Sequence, residues 1–226
     1  MSRLIYPRLA ASFIALLFIM LAALFILISF DLIGLAFRKL GFSPIYSVLL
    51  LFLSLIGSYL NIPVKEIASR EPLISGRVID HYWFRYVIPP VEVERRTLIA
   101  VNVGGAVIPL LISGYLFKNV DLPYLLFGVF TMTVIIHTLA RPVQGLGIAV
   151  PALLPPIMAA LLALTISPPG QAPIIAYISG TLGSLIGADL LNLDKIPGMR
   201  APVASIGGAG TFDGIFLTGI ISVLLA

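Results

Sequence analysis

Apolar residues in this chain come in long, nearly unbroken runs, and the polar residues gather between them. The runs cover 4–30, 42–60, 98–117, 123–140, 143–166, 172–191 and 202–226. A helix needs roughly 20 apolar residues to cross the hydrocarbon core of a bilayer, and each run comes near or passes that length. The pattern therefore predicts an all-α, polytopic bundle of about seven transmembrane helices that forms a single membrane domain over 1–226. The first run is much longer than a signal-peptide core and has no small-residue cleavage site before polar sequence, so it is expected to be a retained helix. The run 143–166 is the least regular, because AVPALLPPIMAALLA contains Pro151, Pro155 and Pro156. Proline inside a membrane helix frees carbonyls that neighbours or water must satisfy, and a kinked or broken helix is expected there.

The connection 61–97 departs from this pattern. It is polar, it carries Trp83, and Val91, Glu92, Val93 and Glu94 alternate with period two. That alternation predicts a short β-hairpin turning at Pro89 and Pro90, with an edge that can accept an extended peptide. Tyr82, Trp83 and Tyr86 also suit the headgroup level of a membrane.

Composition sharpens the class. Hydrophobic residues make up 59% of the chain and charged residues 11%, with a mean hydropathy of +1.10, values foreign to a soluble domain. Most of the 14 Lys and Arg fall in the N-terminus and the connections on its side of the membrane. By the positive-inside rule the N-terminus and the 61–97 connection are cytoplasmic and the C-terminus lies outside, as in a multi-pass protein of the cell membrane. The same asymmetry accounts for the net charge of +4, so the expected partner is the lipid bilayer and no nucleic acid is called for. Nothing in the pattern sets an oligomeric state. Cysteine is absent and His occurs twice, which leaves no thiolate site and predicts neither metal nor cofactor. The scarcity of Cys, Asn and Gln fits a thermophilic source.

Candidate chemistry rests on two aspartates inside the last apolar runs, Asp189 in GTLGSLIGADLLNL and Asp213 in SIGGAGTFDGIFLTG. An ionisable group at membrane depth is costly and reads as functional. Asp194, beside Lys195, reads as a loop charge instead. If the last two helices turn near Arg200 to Pro202, Asp189 and Asp213 lie at the same depth. Two carboxyl groups that close share a proton, which supplies an acid and a base for activating water against an amide. Gly183 with Gly187, and Gly210 with Gly214, give the small-xxx-small spacing of close helix pairs. The glycines Gly207, Gly208 and Gly210 leave room for a substrate backbone. Secondary candidates are His137 and Arg141, four apart at the end of the fourth run, and Asn102, expected one turn into the third helix. Arg141 could neutralise either aspartate.

The stretches NIPV, AVNVGGAVIP, ARPVQGLGIAVPALLPP, GTLGSLIGADLLNL and ASIGGAGTFDGIFLTG resemble a prokaryotic membrane family of unknown function, the family numbered sixteen-fourteen, from the second run to the C-terminus. That resemblance implies membership and no activity. A second resemblance is to the intramembrane aspartyl proteases of the presenilin, signal-peptide-peptidase and prepilin-peptidase group. It implies Asp189 and Asp213 as the catalytic pair and Pro151, Ala152 and Leu153 as a substrate-binding Pro-Ala-Leu motif. The chain has Gly-Thr-Phe before Asp213 and Ala188 before Asp189, and its Pro-Ala-Leu precedes the aspartates. The expected function is hydrolysis of peptide bonds in transmembrane-helix substrates. The alternatives are a proton- or cation-coupled transporter or channel with Asp213 as coupling carboxylate, and a noncatalytic scaffold whose aspartates pair with Arg141 or Lys195.

Overall fold

The structure is a computed structural model that describes residues 8–74, 77–81, 84–88, 91–145, 147–199, 201–208 and 214–226. The seven apolar runs each yield a helix: α1 (Arg8–Lys39), α2 (Pro44–Gly57), α3 (Ile108–Leu116), α4 (Leu122–Leu139), α5 (Leu154–Ile166), α6 (Ala172–Ser184) and α7 (Gly214–Leu225). Five of them, α2 to α6, carry proline in the first turn, where a missing N–H costs no hydrogen bond and the fixed φ favours helix. Pro155 and Pro156 therefore start α5 and do not kink it.

Among the described residues, three helical segments are long and apolar enough to cross a membrane, Ile14–Lys39, Leu122–Leu139 and Ala172–Met199, and the protein is a membrane protein on that ground. The other helices among the described residues, Pro44–Gly57, Val103–Asn119, Leu154–Ile166 and Gly214–Leu225, are apolar but shorter. The predicted third and seventh helices begin as strands, because Leu98 to Asn102 end a strand and Val203–Ile206 form one.

The connection after α2, where a short β-hairpin was expected within an otherwise helical fold, carries longer strands. β1 (Asn61–Ile74) pairs antiparallel with β4 (Val91–Asn102), and β2 (Arg77–His81) with β3 (Phe84–Ile88). β1 and β4 form the longer ribbon, on which Ile74 faces Val91, and β2 and β3 form a separate pair in which Arg77 faces Ile88. Pro89 and Pro90, where the turn was expected, lie outside the described residues; the strands before and after them, β3 and β4, pair with β2 and β1 and not with each other. Bulges at Pro63/Lys65 and Pro72/Ile74 adjust the register where proline cannot donate. β5 (Arg141–Val143) and β6 (Gly147–Ala149) form a second small hairpin ahead of α5. β7 (Val203–Ile206) adds to β4 in parallel, giving the sheet order β1-β4-β7 with β7 at the edge.

α6 is the hub of the helices. It packs against α4, α5, α7 and α3, and Ile175 through Thr181 are all buried. Small residues make this crowding feasible. A Cβ on Gly183 would lie 2.5 Å from Met132 Cβ, and one on Gly187 would lie 2.5 Å from the Thr133 carbonyl oxygen. The expected glycine ridge is thus real, but Gly183 and Gly187 serve the contact with α4, while Gly180 sits between Ala159 of α5 and Thr218 of α7. The largest core joins Tyr177 and Ile178 to Phe216, Ile220 and Val223 of α7, with Phe37, Leu116 and Leu125 closing it. Outward residues such as Phe18, Phe25 and Phe130 are about as apolar as the core, which suits a lipid surround.

Candidate functional site

α6 does not end as an α-helix. Leu185–Asp189 follow as a π-helical turn, and a ten-residue 3-10 segment, Leu190–Met199, carries the chain away with a non-helical break at Asn192. Such interruptions release carbonyls, and they gather at functional sites. Here they are met by side chains. Asn192 Nδ2 donates to the carbonyls of Gly187 (3.0 Å) and Ala188 (2.8 Å), and Lys195 Nζ donates to Asn192 Oδ1 at 2.6 Å. His137 Nδ1 lies 3.2 Å from the Gly187 carbonyl oxygen and 3.4 Å from Asn192 Nδ2. This cluster pins the backbone one residue before Asp189.

Asp189 itself is half-buried, and its Oδ2 accepts the Gly207 N–H at 2.7 Å, immediately after β7. Gly207 is dictated twice over. Its φ of 86° is left-handed, and a Cβ there would sit 2.6 Å from Ala106 Cβ. Ala106 belongs to a second π-helical turn, Val103–Val107, which Asn102 caps by accepting the Gly105 N–H at 2.8 Å. Asn102 Nδ2 also donates to the Ser58 carbonyl (2.7 Å) and to Asn61 Oδ1 (3.1 Å), and Ser205 Oγ donates to that same Asn61 oxygen at 2.6 Å. The polar set Asn61, Asn102 and Ser205 therefore locks β7 to the ends of β1 and β4. Asn102 is the last residue of β4 and a cap, not a position inside a helix.

These elements enclose a cavity of about 470 Å³. Asp189, Ala188 and Ser184 form one wall, all four residues of β7 with Gly208 another, and Gly147 to Ala152 with Pro155 a third. Ile215 and Thr218 of α7 complete it. Pro151 and Ala152 are thus brought to the cavity that holds Asp189, while Leu153 is exposed and outside the lining. Asp213 and Gly210 lie outside the described residues. Gly208 and Gly214, the described residues on either side of them, both line the cavity. Asp194 is exposed in the 3-10 segment.

Arg141 is not the partner of Asp189. It begins β5 as an exposed residue, and the ion pair among the described residues joins Arg96 and Glu66 at 3.9 Å on the ribbon. Lys195 turns to Asn192. His137 takes part through the Gly187 carbonyl and does not line the cavity. No group of three His, Asp or Glu able to hold a metal occurs among the described residues. The wall residues that sequence reasoning passed over are Ser184, Ser205 and Thr218. Their signal was a hydroxyl on a small-residue ridge next to an aspartate, which packing alone also explains.

Residues 55–225 match the family described as "Protein of unknown function (DUF1614)", and the chain belongs to that family. The match spans the ribbon, the cavity and every helix from α3 onward, and it leaves α1 outside. No curated protein and no solved structure matches the chain.

Proposed function

We propose that the cavity beside Asp189 is the active site of an intramembrane aspartyl peptidase whose substrate enters as an extended segment. The observation that carries this reading is the meeting of three things in one cavity: the Asp189 carboxyl group, the Pro151 and Ala152 turn, and a strand at the edge of its sheet. The Leu98 N–H donates to the Pro202 carbonyl, so alternation along β7 turns the backbone groups of Val203 and Ser205 away from β4, where the Ser205 carbonyl already accepts the Gly208 N–H at 3.2 Å. A peptide added at that edge would gain main-chain hydrogen bonds, and its scissile amide would lie near the carboxyl group at the end of the strand.

The chemistry follows from two carboxyl groups in different protonation states. Asp189, with one oxygen fixed by Gly207, takes a proton from water as the water oxygen attacks the amide carbon. The second carboxyl, assigned to Asp213 from the sequence, protonates the carbonyl oxygen. Collapse of the tetrahedral species breaks the C–N bond: Asp189, protonated in the first step, gives that proton to the amine nitrogen, and the second carboxylate takes a proton back from the gem-diol hydroxyl as the carbonyl re-forms. A bilayer site suits such work, because water is scarce there and a helix must unwind before its amides are open to attack.

The test is cleavage of a fluorogenic transmembrane peptide by the purified protein in nanodiscs. Asp189→Asn and Asp213→Asn should each abolish turnover, and a hydroxyethylene isostere should inhibit the native protein. Turnover that survives Asp189→Asn ends the proposal. Loss of a proton or cation flux in liposomes on the same substitution, with no cleavage by the native protein, would instead favour a coupled transporter.

A further inference from the structure

The first helix carries charge where the bundle offers it no partner. Asp31 and Arg38 lie on α1 within the apolar segment Ile14–Lys39, and both are exposed. Neither has a hydrogen-bond or ion-pair partner among the described residues. Lys39, the next cation, is engaged elsewhere, its Nζ donating to the carbonyls of Val223 (3.3 Å) and Leu224 (3.1 Å) at the end of α7. Asp31 does not sit at headgroup level. Phe30 meets Phe52 of α2 with ring centroids 5.9 Å apart, so Asp31 is level with the middle of α2. That level is about 12 Å along the axis from the start of α2 at Pro44. The outward residues of α2 there, Val48, Leu49 and Leu53, are exposed and apolar. A carboxyl group at such depth is costly, and its side chain is too short to reach the headgroups.

The bundle uses the opposite face of α1. Ala36, Phe37 and Leu40 are buried, and Leu40 is separated from Asp31 by roughly two and a half turns, which places the two on opposite sides. Asp31, Gly34 and Arg38 instead continue the spacing of Met20, Leu24 and Leu27, alternately three and four residues apart. That is the seam of a heptad repeat. In so apolar a helix the seam is marked by what departs from the rest, and both charged residues and the single glycine of 14–38 fall on it. Gly34 also explains the pose of the arginine. Arg38 Nη1 lies 3.6 Å from where a Cβ on Gly34 would stand, so the guanidinium is laid back along the seam toward Asp31.

We propose that this outer face of α1 binds a second copy of the chain as a parallel, two-fold helix pair in which Asp31 of each protomer takes the partner's Arg38. Copies in one membrane share an orientation, so the pair is parallel, and two-fold symmetry makes each contact occur twice. Seven residues span about 10 Å along the axis, and the arginine already covers the four of them that lead back to Gly34. The glycine lets the two backbones approach closely. Charge complementarity selects the occupant. An Asp and an Arg on one seam are complementary to a second copy of that seam, whereas a different helix would have to repeat both residues at the same spacing. Pairing within a single helix would leave both groups facing lipid. The face lies outside the matched residues 55–225 and away from the cavity, so it does not depend on the peptidase reading.

The seam separates neighbours that a lone helix would treat alike. Leu27 is 65% exposed and Ile28 49%, so both face outward in the single chain. In the pair, Leu27 meets its counterpart, and Ile28, about 100° further round the helix, turns away from it. The chain contains no cysteine, so each position can be given a single thiol.

The experiment measures self-association of the fluorescently labelled full chain in liposomes by single-molecule photobleaching over a range of dilutions, with oxidative cross-linking alongside. The native chain should be a dimer, Leu27→Cys should form a disulfide-linked dimer, and Ile28→Cys should do so far less. Asp31→Leu and Arg38→Leu should each raise the dimer dissociation constant about tenfold, the effect of losing interhelical polar contacts in lipid. Their melting temperatures at monomer dilution should stay near the native value, because both side chains project away from the bundle. Mixing decides the exchange itself. Asp31→Arg and Arg38→Asp should each be monomeric alone and should associate when combined, since each arginine then again faces an aspartate. If a swapped variant does not insert, the two leucine variants carry the test. A native chain that stays monomeric overturns the proposal and leaves this face to a different membrane protein. Equal cross-linking at Leu27→Cys and Ile28→Cys overturns the seam. A dimer that Asp31→Leu leaves unchanged, or folded swapped variants that do not associate on mixing, overturns the Asp31 and Arg38 exchange.

Discussion

The Gly207 N–H donates to Asp189 Oδ2 across 2.7 Å, joining the end of a strand to the end of a membrane helix. Eighteen residues separate them, and the bond holds only because Gly207 occupies a left-handed conformation pressed against Ala106. A carboxylate bonded by a backbone N–H is fixed in direction more firmly than one bonded to a mobile side chain.

Gly207→Ala should therefore damage both stability and the site. The left-handed φ costs an L-residue on the order of 1–3 kcal/mol, and the contact with Ala106 adds to it. Gly145→Ala is the control, since Gly145 has a φ of 76° with open space around it and should lose only about 1 kcal/mol. Reversible unfolding of the two variants in mild detergent measures the difference. Equal losses would show that Gly207 is not closely packed.

The α4 and α6 contact makes its own prediction. Gly183→Ala and Gly187→Ala each force a methyl group into Met132 or Thr133 and should destabilise by about 1–3 kcal/mol. Gly114→Ala, in α3 with nothing within 4 Å, should be neutral or stabilising by up to about 1 kcal/mol through helix propensity. Melting temperatures of the three variants decide it, and a stable Gly187→Ala would contradict the packing described.

Asn102 caps the π-helical turn and holds β1 in place through three hydrogen bonds. Asn102→Ala leaves the Gly105 N–H and the Ser58 carbonyl unpartnered and should cost roughly 1–3 kcal/mol. Faster amide exchange over 103–108 than in the native protein is the local sign. Unchanged exchange there would mean that the cap is dispensable.

The cavity and the lipid-facing helices can be told apart by labelling, because the chain contains no cysteine. A membrane-impermeant maleimide should label Ala152→Cys, on the exposed wall of the cavity, and should spare Phe130→Cys, whose parent residue is 69% exposed on α4. Rapid labelling of Phe130→Cys would place that face of α4 in water and take it out of the bilayer.

Composition and run length alone determined that this is a membrane protein whose apolar runs each make a helix, because apolar length is a local property that any twenty residues display. The proline punctuation was local as well, and it placed the start of α5 once first-turn geometry is recognised. The sequence also singled out Asp189, by a carboxyl group inside an apolar run, and Pro151 and Ala152, by their resemblance to a Pro-Ala-Leu motif. What it could not supply was the pairing. β7 hides in an apolar run because a strand buried in a sheet is as hydrophobic as a helix, and only its partner β4, about a hundred residues earlier in the chain, reveals it. The π-helical turn between Ser184 and Leu190 is likewise invisible to periodicity. It arises from Gly187 against Thr133 and from Asn192 collecting the released carbonyls. Which side chains share the cavity was thus decided by contacts between distant elements, whereas the identity of the elements was already written in the order of apolar and polar residues.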